Sequence, residues 1–549
     1  MSAPVPRGAG LRTYHLVALL ITAHAPLTLL WAVVPTALQN GKVVATPLIF
    51  ALAGLILLGF VLGYSGLARR VRHPGGLYVQ VVRGLGRPVG LGAAAVTLLA
   101  YTGLVAGLYG FFATVFVALV DSLFGVVLPA AVGLLLCVVS VLALGVVPLR
   151  IVVRLLLGVV VGQIAVVLAF DLGAFTEAAG SEVSFTPLDP GWILSGSFGV
   201  ALVFAVTAFV GSEAGATYSD ELTDPQRAIP KATYISYAVT TAVLVVSAWA
   251  VSVAVGPEQA PLQAAALGAA FLPAVVASIV GAGAAGTVTN LLLGVLLVGL
   301  LATGVTLHNA TSRQLAGLAR DGVLPAPLAI PRLGGAPPWR TALIQPVVAG
   351  LIALFALFSE QKVLPLWLVV GSGLAATGVL TLASAATVVW FLRGVADEDG
   401  FFGWEGQVVA GFFSIVTTGF IFLYGVTRVR EIAPGSPPVA AWLVGVLIGG
   451  VFGTGVVVAL VLQATRPAAY ATIGQDQAQA TGRTPAEPPP TAGTIPVRRH
   501  PPAGAAPTRV PSHAAAPPNR RGTGAPFDGQ PAAPDPSWPE DARYRYPSR

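Results

Sequence analysis

Glu213 is the residue with the most chemistry to offer. It sits in the run Phe209-Val210-Gly211-Ser212-Glu213-Ala214-Gly215-Ala216-Thr217-Tyr218, and it is the only carboxylate expected inside any long apolar segment of the chain. A charge at membrane depth costs about 2.5–3.5 kcal/mol on insertion scales, so an acid retained there is read first as functional. Its chemistry would be proton uptake and release, tuned by burial and neighbours. The plainer alternative is a carboxyl that only satisfies the backbone of an interrupted helix. Gly211 and Gly215 loosen the helix around it. The run then passes into Ser219-Asp220-Glu221-Leu222-Thr223-Asp224-Pro225-Gln226-Arg227-Ala228-Ile229-Pro230-Lys231, an acid-rich turn and helix restart.

His24 is a second titratable candidate, in Thr22-Ala23-His24-Ala25-Pro26-Leu27-Thr28. An imidazole could sense pH or bond a substrate carboxylate, or it could be a neutral ring tied to a backbone carbonyl. Pro26 interrupts this segment, because proline lacks a backbone donor and clashes with the preceding turn. Breaks in the first and sixth apolar segments, five helices apart, are the pattern of a transporter site, where freed backbone groups and half-helix termini would face the substrate's charged ends. The plainer alternative is that Pro26 and these glycines are ordinary kink and packing residues of membrane helices. Asp220, Glu221 and Asp224 read chiefly as turn and helix-start residues, with an inner-gate ion pair to Arg227 or a basic loop residue as the sharper alternative. Trp31, Tyr101 and Gln163 are candidate lining residues.

The elements that must position these groups are membrane spans. The chain is 55% hydrophobic and 10% charged, where a soluble chain carries about 25% charged residues. Apolar runs of about 20 residues, enough to cross a hydrocarbon core, recur up to residue 465. Twelve all-α spans are expected at about 14–37, 46–68, 89–120, 124–145, 150–171, 195–218, 231–255, 282–310, 341–358, 363–393, 405–428 and 438–464. Pro230 would then fall at the first turn of the seventh. Segments on the side of the N-terminus hold sixteen Lys and Arg before residue 466; those on the other side hold four, Lys42, Lys362, Arg428 and Arg430. That asymmetry predicts a cell-membrane protein with both termini cytoplasmic.

Residues 466–549 hold eighteen prolines and are expected to form a disordered cytoplasmic tail beyond a 1–465 transporter domain. Much of the +7 net charge reflects the tail and topology, so no nucleic-acid partner is implied. The one cysteine, Cys137, provides neither a disulfide nor a zinc cluster, and no cofactor or metal is expected. No nucleophile–base pair or phosphate loop has convincing spacing, which argues against an enzyme, and no filter or charge ring suggests a channel.

Four blocks, in order, carry a family likeness: Ala25-Pro26-Leu27-Thr28 with Pro35; Gly75-Gly76-Leu77-Tyr78-Val79-Gln80 leading to Arg83-Gly84-Leu85-Gly86-Arg87-Pro88; the Glu213 run with its Asp224-Pro225 loop; and Asn309-Ala310-Thr311-Ser312-Arg313 with Ala319-Arg320-Asp321-Gly322-Val323-Leu324-Pro325. Together they resemble the amino acid–polyamine–organocation superfamily, in particular its actinobacterial amino acid permease-like branch. The resemblance implies a five-plus-five inverted repeat of the LeuT type plus two further helices. It implies alternating access around broken helices one and six, and secondary uptake of an amino acid or related amine, commonly driven by protons. The backbone around Ala23, His24, Ala25 and Pro26, and around Val210, Gly211 and Ser212, would hold the substrate. Trp31 and Ala32 stand where the family carries glycines, and Ser212 where it carries phenylalanine. A site filled by Trp31 would favour the alternative, a sensor or scaffold that keeps the permease fold without transporting.

Overall fold

The first interruption follows directly from Pro26. Its ring collides with the carbonyl four residues earlier, that of Thr22, and the residue before a proline is driven out of the helical region. Helix α1 (Thr13–Thr22) accordingly ends at Thr22, and Ala25 takes φ 45° and ψ 105°. The span resumes through α2 (Pro26–Thr28), a π-helical turn at Leu29–Val33, and α3 (Val34–Gly41).

The structure is a computed structural model. It describes residues 10–69, 73, 75–178, 183–329, 339–360, 363–393 and 403–475. The compact unit Met1–Ala486 contains all of these; Glu487–Arg549 lies wholly outside them, as does the tail expected to be disordered from residue 476 onward.

After α3 come α4 (Thr46–Ala68), the short α5 (Leu77–Leu85), α6 (Arg87–Phe124), α7 (Ala130–Gly145) and α8 (Leu149–Ala178). Helix α9 (Phe198–Thr207) leads to the second interruption. Gly211 has φ 107°, which only glycine adopts without strain, and Ser212–Glu221 continues as a 3-10 helix. Ten residues is long for that conformation, which normally runs for three or four and marks strain or a hinge within a span. The chain closes with α10 (Pro225–Val255), α11 (Ala260–Leu267), α12 (Phe271–Val280), α13 (Ala282–Arg320), α14 (Trp339–Phe358), α15 (Leu364–Leu392), α16 (Gly403–Thr427), α17 (Val429–Ile432), α18 (Ala440–Thr465) and α19 (Pro467–Thr472). Among the described residues the one β-type pairing is an isolated parallel bridge, Leu11 with Leu222.

Among the described residues, twelve helices are long and apolar enough to cross a membrane. Eleven coincide with expected spans. The twelfth is Ala260–Val280, in a stretch expected to connect two spans, whereas the expected 124–145 span is the sixteen-residue α7. Ala260–Val280 is divided by a 3-10 turn at Gly268 into helices of eight and ten residues. Neither reaches beyond about 15 Å, while α7 alone covers about 24 Å and follows an apolar extended stretch.

Burial orders the bundle. The interrupted spans Thr13–Gly41 and Phe198–Glu221 are 78% and 83% buried, against 28% and 22% for α16 and α18. The broken helices therefore form the centre, and α16 and α18 lie at the periphery. Between helices, close approach depends on small residues: a Cβ on Gly84 of α5 would collide with the Ala386 backbone on α15.

The seventh expected span begins earlier than residue 231. Asp224 caps α10 by accepting the Arg227 N–H at 3.3 Å, and Pro225 takes the first helical position. Pro230 thus lies inside the helix rather than in its first turn. The tail also starts differently, because residues 466–475 are packed. Arg87 donates to the Ala471 carbonyl at 2.9 Å and stacks over the Tyr470 ring, and Ile473 is buried with Tyr78, Val82 and Leu318.

This segment ends on a hub at Asp321. Its Oδ2 accepts the Tyr78 hydroxyl and the Gly474 N–H, each at 2.9 Å, and its Oδ1 meets His73 Nε2 at 3.0 Å. Since His73 Nδ1 accepts from the Gly75 N–H, its Nε2 carries the proton and donates. Burial, and then the neighbouring Asp321 carboxylate, push ionisation of the Tyr78 hydroxyl well above its ordinary range, so it remains a donor.

Candidate functional site

Both interruptions border one cavity of about 460 Å³. Ala23, His24 and Thr28 contribute from the first span, and Thr207, Ala208 and Val210 from the second. At each break the helix loses its regular donors. Pro26 has none, and the Leu27 N–H turns to Gln163 Oε1 on α8 at 3.4 Å. Carbonyls at such a break, together with half-helix termini, suit the ammonium and carboxylate of a zwitterion. Thr303 on α13 closes the same region by donating to the Thr22 carbonyl at 2.9 Å.

His24 lies between the two breaks. Its Nε2 is 3.2 Å from the Ser212 hydroxyl and its Nδ1 is 3.4 Å from that of Thr240, and the ring also faces the carbonyls of Phe209 and Val210. Ser212 in turn reaches Ser236 at 3.1 Å. The imidazole is thus a buried junction of α1, the second break and α10.

Glu213 lies beside the break and does not border the cavity. Its Oε1 accepts the Tyr101 hydroxyl at 2.8 Å and its Oε2 accepts the Gly211 N–H at 2.9 Å. The carboxyl therefore closes the broken backbone of its own helix and holds α6 against it.

Of the expected residues, Ala23, His24, Val210 and Trp31 border the cavity. Ala25, Pro26, Gly211 and Ser212 shape the breaks just behind it. Tyr101 is a partner of Glu213, and Gln163 bridges the first break to the Val295 carbonyl at 3.4 Å. Trp31 lies along the wall and leaves the cavity open. The expectation that Glu213 is the one carboxylate within the spans is corrected by Asp171. It is buried within the Leu149–Thr176 span, where Oδ2 accepts the Ser247 hydroxyl at 3.0 Å. Asp171 falls at the very end of the apolar run, so hydropathy alone placed it at the edge.

From the breaks the cavity runs toward the Gln39 and Thr114 end of the bundle. The opposite end is sealed in layers. Phe209 stacks on Tyr237 with centroids 5.4 Å apart, and Tyr218 donates to the Thr306 carbonyl at 3.3 Å beneath the Arg313 guanidinium. Arg313 Nε pairs with Glu221 Oε1 at 2.8 Å, and Arg320 pairs with Asp220 at 2.7 Å. Leu11 then clasps the end of the 3-10 helix, its N–H donating to the Glu221 carbonyl at 2.7 Å. The acids expected mainly to shape a turn thus hold two ion pairs. Their partners come from α13, whereas Arg227 stays exposed, 3.9 Å from Asp224.

The family model described as amino acid permease matches residues 16–451. No curated protein sequence matches significantly. Similar solved structures include two mutants of the Eremococcus coleocola manganese transporter, at 14% and 13% identity. Each has a TM-score of 0.51, covering 81% of this chain and 92% of that one. MhsT in complex with L-phenylalanine is similar at 16% identity and TM-score 0.48, covering 77% of this chain and 99% of the other.

Proposed function

The chain belongs to the amino acid permease family and has a LeuT-type transporter fold, and from that premise we propose that it is a secondary active permease for an amino acid or related amine, coupled to protons. The observation that carries the reading is a cavity bordered by both broken helices, open toward one face and sealed toward the other by stacked aromatics and ion pairs. A site at mid-bundle with one closed end is what alternating access requires.

In this reading the substrate's charged ends meet the backbone around Ala23, His24 and Val210. The Arg313–Glu221 and Arg320–Asp220 pairs form the cytoplasmic gate, with both termini on the cytoplasmic side of the cell membrane, so the state described is outward-facing. Glu213 is the proton-coupling group. It joins the second break to α6 through Tyr101, so a change in its protonation is felt by two central helices at once. The open cavity beside Trp31 favours transport over a sensor that merely keeps the fold.

Reconstituted protein, supplied with radiolabelled amino acids and polyamines under an inward proton gradient, tests this. Gradient-driven uptake that loses its pH dependence in Glu213→Gln is the expected result. Uptake with unchanged pH dependence removes Glu213 from the coupling role. Silence across the panel from folded, correctly oriented protein overturns the permease reading.

A further inference from the structure

Among the described residues bordering the cavity there is no Asp, Glu, Lys or Arg. The acid nearest the breaks, Glu213, is buried behind the wall with both oxygens engaged. Four hydroxyls on the wall are committed, since Thr207 donates to the Val203 carbonyl, Thr303 to Thr22, Thr36 to Ala32 and Thr114 to Phe111, while Thr28 Oγ1, at the first break itself, has no hydrogen-bond partner among the described residues. Away from the breaks the wall is built by Leu104, Leu108, Phe111, Phe204 and Leu272. A substrate side chain pointing away from the breaks meets mainly hydrocarbon, with only the uncharged Thr36, Gln39 and Thr114 toward the far end.

We infer that the site takes an amino acid with a large uncharged apolar side chain, of leucine or phenylalanine size, and rejects basic and acidic amino acids and polyamines. The inference rests on the permease reading and narrows its substrate class. Burying a charged side chain against such a wall leaves it unpaired, which is strongly unfavourable, whereas an apolar side chain gains from desolvation in a cavity of ordinary ligand-site volume. Space for it comes from small residues. Gly110 of α6 borders the cavity, and a Cβ added there would meet nothing within 4 Å.

The full-length protein in proteoliposomes would be assayed for uptake of labelled leucine and phenylalanine, and for competition by alanine, lysine, glutamate and putrescine. Thermal stabilisation of the detergent-purified protein by the same compounds gives a readout independent of transport. The expected result is uptake and stabilisation by leucine and phenylalanine, with lysine, glutamate and putrescine inactive. Gly110→Leu, which fills open space, is expected to lower phenylalanine uptake relative to alanine by about tenfold or more. Uptake of lysine, glutamate or putrescine equal to that of leucine overturns the inference and leaves the permease reading standing. So does an unchanged phenylalanine-to-alanine ratio in a folded Gly110→Leu variant. No uptake and no stabilisation by any compound overturns the permease reading, and this inference with it.

Discussion

Tyr101 and Glu213, 112 positions apart, meet through a 2.8 Å hydrogen bond in which the phenol donates to Oε1. Because Oε2 accepts the Gly211 N–H, one carboxyl links α6 to the backbone of the second break. Tyr101→Phe removes a hydrogen bond to an ionisable group, typically worth about 1.5–3 kcal/mol. The expected outcome is a lower thermal unfolding temperature together with a changed pH profile of uptake. A variant that unfolds earlier but keeps its pH profile would make Tyr101 a packing residue only.

The Arg313–Glu221 pair should hold its end of the bundle shut. Both side chains are largely buried, and Arg313 also covers the Tyr218 ring at 4.8 Å. Glu221→Gln weakens a charge-assisted contact by about 1.5–3 kcal/mol, enough to raise the opened population more than tenfold. In a Cys137→Ser background, a cysteine at the buried Ser219 should then react faster with an impermeant maleimide applied from the Arg313 side. Equal labelling rates with and without Glu221→Gln would argue against a gating role.

Ala25 occupies a backbone region that residues other than glycine seldom visit. Such conformations cost about 1–3 kcal/mol and persist only where the surroundings impose them. Ala25→Val adds a β-branched side chain at a positive φ and should be destabilised by at least about 2 kcal/mol. Ala25→Gly should unfold no earlier than the parent. Thermal denaturation of the pair decides the matter: equal loss in both would trace the effect to packing against neighbours.

The Asp321 hub gives a stability prediction. Asp321→Asn places an amide donor where Tyr78 and the Gly474 N–H both donate, and should cost about 1–3 kcal/mol. Ending the chain after Gln475 should leave the unfolding temperature unchanged, whereas ending it after Thr465 should lower it about as much as Asp321→Asn. Equal temperatures for the two truncations would mean that the 466–475 segment adds nothing.

The breaks were legible because their causes are local: Pro26 acts on Thr22, and Gly211 supplies its own dihedral angle. Their partners were not. Nothing in the sequence pairs Glu213 with Tyr101, or Glu221 with Arg313, across about a hundred residues, since a long apolar helix presents no signal for which polar residue faces inward. Gln163 read as a lining residue for that reason, when its amide substitutes for the helix bond lost at Leu27. Asp171 was hidden by its position at the end of a hydrophobic run. The proline content of the tail obscured Ile473, a single apolar residue that, with Tyr470 and Gly474, is enough to seat the segment.

The clasp at each end of the described chain also bears on the parity of the crossings. Leu11 is bonded to the Glu221 end of the 3-10 helix, Glu221 pairs with Arg313 of α13, and α13 runs to Asp321, which holds Gly474. This agrees with the proposed topology, in which departure and return are on one face and the chain crosses an even number of times. Eleven crossings are common to hydropathy and structure, so α7 and the Ala260–Val280 segment cannot both be added. In the proposed topology α7 is the crossing and the Ala260–Val280 segment, divided at Gly268, stays on its own side.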